Sequence, residues 1–499
     1  MRMLALALAF ATAASAALAE PIKIDGGVVD SVIANGVESF RGIPYAAPPV
    51  GALRWRAPQP VVGWKGTKIA DTFGKICMQP LRQGASAARA EDMSEDCLTI
   101  NVFRPTFARE KLPVMVWIYG GGFTSGASSI PTYDGTTFAK GGVILVSFNY
   151  RLGRFGVFAH PALTKENADG GRIGNYGLMD QIAALQWVKR NIAKFGGDPN
   201  NVTIFGESAG GLSVNALMVS PEARGLFHRA ISESGYGRGS FNRLREDSKG
   251  RRAAETEGVE LATAVGVKGN DLKALRAAPA QAIVDNYKGD GYLYFILDGK
   301  TLVDDMWATF RAKKEAPVPF LLGSNSHEFP GVVFKDRRTD LRTFVDDAGH
   351  AAMAPAYGGE DFLDDNLMSD FLFTQQGRAL ARLHQANGYP TYLYQFSVIP
   401  PENVATHKGA PHGSEIAYVF GTLNAKLTAA EPLKKASDAM NAYWRAFATK
   451  GDPNATGLPA WPRYDGQQII EFTNGGPVAH PDVRNPRLDA LSKVVDPKS

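Results

Sequence analysis

Cysteine is nearly missing from this chain: 499 residues carry two, Cys77 and Cys97. That excludes a disulfide-dense scaffold, and without a CxxC pair or more numerous ligands it argues against a dithiol redox centre or a structural zinc site. Charge of one sign is lacking too. Lys and Arg number 54 against 50 Asp and Glu, and no run of five basic residues occurs. Such a balance carries no footprint of nucleic-acid binding. Beyond the N-terminus no stretch reaches the ~20 uninterrupted apolar residues that a membrane span needs, which argues against a stable membrane anchor. Internal repeats, low-complexity tracts and convincing linkers are absent as well. The apolar fraction of 44% is ordinary for a globular protein. One domain over residues 20–499 is therefore expected, although length alone would allow more.

The first 19 residues differ in kind. Arg2 is followed by an uncharged Ala/Leu run that closes with Ala17-Leu18-Ala19 before Glu20. A basic start, an apolar middle and small residues at a cleavage site are the parts of a secretory signal peptide. Cleavage after Ala19 and export to the periplasm or the medium are the expectation. In an oxidising compartment two cysteines at loop-sized spacing read as one disulfide, Cys77–Cys97.

From about residue 112 short apolar runs alternate with longer amphipathic ones. Val114–Ile118, Val143–Phe148, Val202–Phe205, Val318–Leu322 and Thr391–Phe396 read as buried strands. Leu178–Phe195 has apolar residues at roughly helical spacing, and Ala209–Val219 has helical composition. This alternation predicts an α/β fold with a mostly parallel sheet covered by helices on both faces. Residues 240–310, richer in charge and helix formers, are expected to form a helical insertion over the sheet edge.

Gly206-Glu207-Ser208-Ala209-Gly210 fits G-x-S-x-G between a predicted strand and a predicted helix. A nucleophilic serine needs that context, because a tight turn projects its hydroxyl and only small flanking residues let strand and helix backbones approach. Tyr119-Gly120-Gly121-Gly122-Phe123 follows another predicted strand. Its glycines leave N–H groups free to meet a developing oxyanion, and no Gly-Lys-Ser/Thr follows to make it a phosphate loop. A serine nucleophile also needs a base and an orienting carboxylate. In this fold they follow the serine in the order acid, then histidine. Of the histidines at 160, 228, 327, 350, 384, 407, 412 and 480, order excludes His160, and His228 lies too close behind the serine. Order alone leaves the other six open.

A family resemblance separates them. Phe40-Arg41-Gly42-Ile43-Pro44-Tyr45-Ala46, Glu95-Asp96-Cys97-Leu98, Asn149-Tyr150-Arg151-Leu152-Gly153 and Phe195-Gly196-Gly197-Asp198-Pro199-Asn200, with the serine motif, resemble the type-B carboxylesterases, the family of cholinesterases and bacterial p-nitrobenzyl-type esterases. The likeness runs from about Gly26 to Pro462. It implies an α/β-hydrolase fold and places the acid on Glu328 and the base on His412. The oxyanion donors would be the N–H groups of Gly121, Gly122 and Ala209, and the disulfide Cys77–Cys97. Arg41–Glu95 and Arg151–Asp180 match positions that form structural ion pairs, and Ser234 matches a serine behind the triad. Glu207 reads as an electrostatic neighbour, and Tyr292 and Tyr294 as possible pocket lining with Phe295 beside them. Where the family has Asp-Glu-Gly, this chain has His327-Glu328-Phe329, which predicts an altered wall beside the acid.

The implied activity is hydrolysis of small carboxylic esters through an acyl-enzyme, with no metal or organic cofactor. The rivals are an amidase or peptidase on the same fold and a non-catalytic binding module. Choline selectivity is not expected. The resemblance places a cation-holding Trp inside the disulfide loop, and Met78–Asp96 here has no Trp, Tyr or Phe, but Arg82 and Arg89.

Overall fold

A computed structural model of the protein describes residues 20–81, 89–106, 111–235, 237, 241–248, 251–286, 293–329 and 344–496. The leader at 1–19 and Arg82, with the signal-peptide reading attached to the former, lie outside the described residues.

An eleven-stranded sheet organises the chain. Its strands are β1 (Val32–Ala34), β2 (Val37–Pro44), β3 (Thr99–Pro105), β4 (Leu112–Ile118), β5 (Ile144–Phe148), β6 (Gly197–Glu207), β7 (Arg229–Glu233), β8 (Phe320–Asn325), β9 (Thr391–Phe396), β10 (Gln468–Thr473) and β11 (Gly476–Pro481). In space they run β11-β10-β9-β8-β7-β6-β4-β5-β3-β2-β1. The run from β10 to β5 is parallel throughout. Antiparallel pairs flank it at both edges. The central strands are apolar on both faces: Val114 to Ile118 and Ile144 to Phe148 are buried without a break. A strand coated on both sides by helices reads this way, whereas a half-exposed one would alternate.

Helices α1 (Tyr176–Asn191) and α2 (Ala209–Val219) stand where the sequence predicts them, α1 continued by a 3-10 turn to Phe195. The insertion contains helices at Ala254–Ala264, Leu272–Ala277, Ala280–Asp285 and Met306–Arg311. A long element follows: α3 (Glu360–Ser369), a π-helical turn (Asp370–Thr374) and α4 (Gln375–Ala386). Helix α5 (Glu431–Lys450) and the C-terminal α6 (Asn485–Val495) complete the scaffold.

Cys77 and Cys97 are bonded. Arg151 and Asp180 form the expected buried pair at 2.8 Å. The other expected pair is corrected: Glu95 takes Arg54, whose Nε lies 2.7 Å from its Oε2, while the Arg41 guanidinium lies over the rings of Phe73 and Phe103. Among the described residues no helix is long and apolar enough to cross a membrane.

Strand order reverses between β4 and β6, because β5 lies on one side of β4 and β6 on the other. In an open parallel sheet the crevice at the carboxyl ends of such strands is where ligands bind. Ile118 ends β4 and leads into the glycine run; Glu207 ends β6 and leads into Ser208.

Candidate active site

Ser208 sits between β6 and α2 with φ 58° and ψ −121°. A side chain in that region costs of order 1–3 kcal/mol and persists only where its surroundings enforce it. The Ser208 N–H donates to the Glu233 carbonyl at 2.9 Å, and the Ser208 carbonyl receives Leu212 N–H at 2.9 Å as α2 begins. Gly210 permits the approach: a methyl group there would collide with the carbonyl oxygen of Ile118. The residue is 8% exposed, so its environment is nearly closed.

The glycine run crosses directly over this turn. A methyl group on Gly120 would lie 2.6 Å from the Glu207 carbonyl oxygen and 2.9 Å from Ser208 Cβ. Gly121 and Gly122 have φ of 104° and 64°, a backbone path that other residues rarely follow. The loop is fixed by Thr124 and Ser125 N–H groups on the Gly121 carbonyl and by Leu293 N–H on that of Gly122. Ala209 is the first residue of α2, where backbone donors have no partner within the helix. Gly121, Gly122 and Ala209 are thus carried on two segments that meet at Ser208.

His412 Nδ1 lies 2.7 Å from Glu328 Oε2. The other ring nitrogen, Nε2, lies 3.2 Å from Oε1 of Glu207, the residue before Ser208. Glu328 is held in turn: its Oε1 accepts from Ser234 Oγ at 2.7 Å and from Asn325 N–H at 2.7 Å. Its carbonyl receives His412 N–H at 2.9 Å. Asn325 also reaches the Pro411 carbonyl at 2.8 Å and Glu415 Oε2 at 2.5 Å, tying the end of β8 to the histidine loop. Glu328 and Ser208 come from segments 120 positions apart, yet one side chain, His412, spans the carboxylates beside both.

Four buried glutamates, 207, 233, 328 and 415, surround this histidine or back onto it. Burial opposes the charged imidazolium, but the carboxylates of Glu207, Glu328 and Glu415 outweigh it and raise His412 to about 9. Burial raises Glu207 above the ordinary carboxylate range, with Glu328 adding repulsion and His412 opposing. Burial likewise holds Glu415 well above that range, reinforced by Glu207, Glu328 and Glu233. Glu233, whose carbonyl accepts from Ser208 N–H, is pushed by burial to about 8 against a bond from Trp444. Carboxyl groups packed this closely cannot all ionise.

The remaining predicted positions fall as follows. Tyr294 is half-buried beside the glycine loop, with the Arg251 guanidinium 3.5 Å from its ring centroid. Phe295 packs against Phe123, the ring centroids 4.7 Å apart and the planes tilted by 51°, and belongs to the core. Tyr292 lies outside the described residues. Arg89 is tied to Asp92 at 2.8 Å on the surface. His327, next to the acid, points away from it, its Nε2 3.3 Å from the Asp365 carbonyl oxygen. Sequence reasoning missed Phe373, whose ring lies 4.7 Å from the His412 ring, and Trp444, whose Nε1 donates to Glu233 at 2.8 Å. Neither residue stands in a motif, so nothing local marked them. Among the described residues no cluster of His, Cys, Asp and Glu is arranged to hold a metal.

Comparison with known proteins agrees with this architecture. The Carboxylesterase family model matches residues 19–354 and 363–485. The para-nitrobenzyl esterase of Bacillus subtilis (strain 168) is 36% identical over 471 residues, covering 88% of this chain and 91% of that one. The fumonisin B1 esterase of Sphingopyxis macrogoltabida is 36% identical over 488 residues, covering 89% and 85%. Among solved structures a PNB esterase superposes with a TM-score of 0.82 at 31% identity over 95% of this chain and 99% of that one. A carboxylesterase of Geobacillus stearothermophilus gives 0.78 at 30% identity, over 94% and 99%. With its parallel sheet, its surrounding helices and these relatives, the chain belongs to the carboxylesterase family, has the α/β-hydrolase fold and is a carboxylic ester hydrolase.

Proposed function

We propose that the protein hydrolyses small carboxylic esters through an acyl-enzyme on Ser208, with His412 as base and Glu328 as its orienting acid. The observation that carries this reading is the chain of contacts from the strained Ser208 turn through Glu207 and His412 to Glu328. Glu328 accepts a hydrogen bond from Nδ1–H, so Nε2 is the nitrogen that takes up and returns the proton, in the form of His412 that has lost its second proton. As Ser208 Oγ attacks the ester carbonyl, His412 Nε2 takes its proton. The N–H groups of Gly121, Gly122 and Ala209 receive the tetrahedral oxyanion, a stabilisation of about 3 kcal/mol per well-placed donor in comparable sites. The imidazolium returns the proton to the leaving alcohol. Water, deprotonated by the same nitrogen, then releases the acid and restores the serine.

Glu207 gives the imidazolium a second carboxylate to rest against between steps. The disulfide supports an exported enzyme, since such bonds persist in oxidising compartments. Amide hydrolysis uses the same groups, so matched p-nitrophenyl ester and p-nitroanilide substrates distinguish the two activities. Ser208→Ala is expected to abolish ester turnover and labelling by a fluorophosphonate while Tm stays within a few degrees of the parent. Substantial turnover by the folded variant would remove Ser208 from the mechanism.

A further inference from the structure

The π-helical turn between α3 and α4 stands directly behind the histidine, and nothing in the reaction as derived above uses it. One extra residue per turn is an uncommon and locally unfavourable way to build a helix, and where it occurs it frequently marks a working site. Here it is pinned from several sides. The Asp370 carboxylate accepts from Arg487 of α6 at 2.8 Å. Gln376 donates to the Phe371 carbonyl at 2.9 Å and accepts from Gly237 N–H at 2.5 Å. Ser324 Oγ, near the end of β8, lies 3.2 Å from Thr374 Oγ1, and Phe329 N–H donates to Ser369 Oγ at 3.2 Å.

What the turn presents to the site is Phe373. Its ring stacks on the His412 imidazole at 4.7 Å with an interplanar angle of 29°. Phe329 lies 5.1 Å from the same imidazole and 5.4 Å from Phe373. Three nearly equal separations make a triangle of rings, so the two phenyls form a corner and not a sandwich. The imidazole's polar atoms are turned to Glu328 and Glu207. Phe329 occupies the third position of His327-Glu328-Phe329, where the family resemblance has glycine. Its backbone N–H and its ring therefore join the acid turn, the π-turn and the histidine in one contact unit.

We propose that this aromatic corner, built by the π-turn and the acid turn, fixes the plane of His412, and that Phe373 and Phe329 are positioning residues for proton transfer. The inference rests on the reading of His412 as the base. Its physical basis is that contacts at the two ring nitrogens, with Glu328 and Glu207, still leave the imidazole free to rock about the line that joins them. A packed aromatic wall removes that rocking, and a small misplacement of a reacting group is enough to cost orders of magnitude in rate. A positioning role predicts a loss in kcat with KM preserved. A wall of the substrate pocket predicts the reverse.

The test is steady-state kinetics on p-nitrophenyl acetate with Phe373→Leu, Phe373→Tyr and Phe371→Leu, joined by the low-field proton resonance of the His412–Glu328 hydrogen bond. Phe371 stands on the same turn but packs with Leu367 and Leu491 in a cluster on which Phe329 also rests, and its ring pairs with Phe344 and not with the imidazole, which makes it the control for mere destabilisation. Phe373→Leu is expected to lower kcat about tenfold or more with KM within about twofold, and to broaden the resonance. Phe373→Tyr keeps the ring and is expected to restore both, and Phe371→Leu to lower Tm but not kcat. Should Phe373→Leu fail to fold, Phe373→Met fills the volume without a ring and takes its place. Wild-type kcat in the ringless variant, a rise in KM alone, or a reduced kcat with an unchanged resonance each overturns the proposal. An active His412→Ala enzyme would instead overturn the reading beneath it, so the two failures are told apart.

Discussion

The serine side and the histidine side of this site are held by different means. Around Ser208 the contacts are backbone against backbone: the Ser208 N–H on the Glu233 carbonyl, Gly210 against the Ile118 carbonyl, Gly120 against the Glu207 carbonyl. Around His412 side chains do most of the holding, beside one backbone bond from His412 N–H to the Glu328 carbonyl: Glu328 with Ser234 and His412, Asn325 with Glu415, Phe373 with the imidazole. Backbone contacts require glycine at fixed steps along one short segment, and so they leave a motif. Side-chain networks draw single residues from many segments and leave none. The first half is rigid because nothing larger fits; the second is rigid only while every partner is present.

The comparison breaks most sharply at the histidine. Removing His412 forfeits nearly the whole effect of a group that acts as a unit with Ser208 and Glu328. His412→Ala is expected to lower kcat by about 10⁴-fold or more. His327→Ala, one residue from the acid, is expected to leave kcat within about threefold while lowering Tm. His327 is buried and faces Asp365, not the triad, so its loss costs packing and not chemistry. Esterase kinetics and calorimetry on the two variants check the split. Near-equal kcat losses would mean that the histidine side is less divisible than its hydrogen bonds indicate.

The serine side is probed through its glycines. Gly210→Ala forces its methyl group onto the Ile118 carbonyl, and the strand end that carries the oxyanion loop must shift. A loss of about 10²-fold in kcat is expected, together with a lower Tm. Gly377, in α4, has nothing among the described residues, apart from its chain neighbours and its own helix backbone, within 4 Å of the same added atom. Gly377→Ala is therefore expected to raise stability by about 1 kcal/mol through helix propensity, with activity unchanged. Stability measured by urea unfolding separates a glycine that the geometry requires from one that it tolerates.

This division also explains what the sequence disclosed. The strand at Thr391–Phe396 and the helix at Ala209–Val219 were legible to the residue, because continuous apolar runs and a motif bounded them. Ser208 and the glycine run were legible for the same local reason. Glu328 and His412 needed the family resemblance, since chain order alone left six histidines open. The exchange of Arg54 for Arg41 as partner of Glu95 was not legible: both lie in the same stretch of chain, and only side-chain reach decides between them. Strands β10 and β11 were missed because Gln468 to Pro481 mixes polar and apolar residues, as expected of an antiparallel edge with one wet side. The π-turn has no sequence signature at all. Its position follows from Arg487, Gly237 and Ser324, which approach it only in the folded chain.

Glu233 joins the two sides and gives the smallest expected effect. Its carbonyl holds Ser208 N–H, while its side chain, fully buried, accepts from Trp444 Nε1 at 2.8 Å and has no partner at Oε2 among the described residues. Burial first, then repulsion from Glu207, push its pKa to about 8 although the Trp444 bond opposes. The native carboxyl thus keeps its proton at neutral pH, where an unfolded glutamate, near 4.3, has lost it. A group whose folded pKa is raised contributes its full stability below the unfolded value and loses it as pH rises towards the folded one. The native protein accordingly pays a growing penalty between roughly pH 4.5 and pH 8. Glu233→Gln carries no proton to lose, keeps a carbonyl oxygen for Trp444 and leaves the backbone bond to Ser208 untouched. Its Tm is expected to match the parent below pH 4.5 and to exceed it by about 2 °C at pH 8, with kcat within about twofold. Calorimetry across that range decides the matter. A difference that does not change with pH, or a parent that gains on the variant as pH rises, would show that Glu233 is ionised in the fold and that its charge belongs to the histidine network after all.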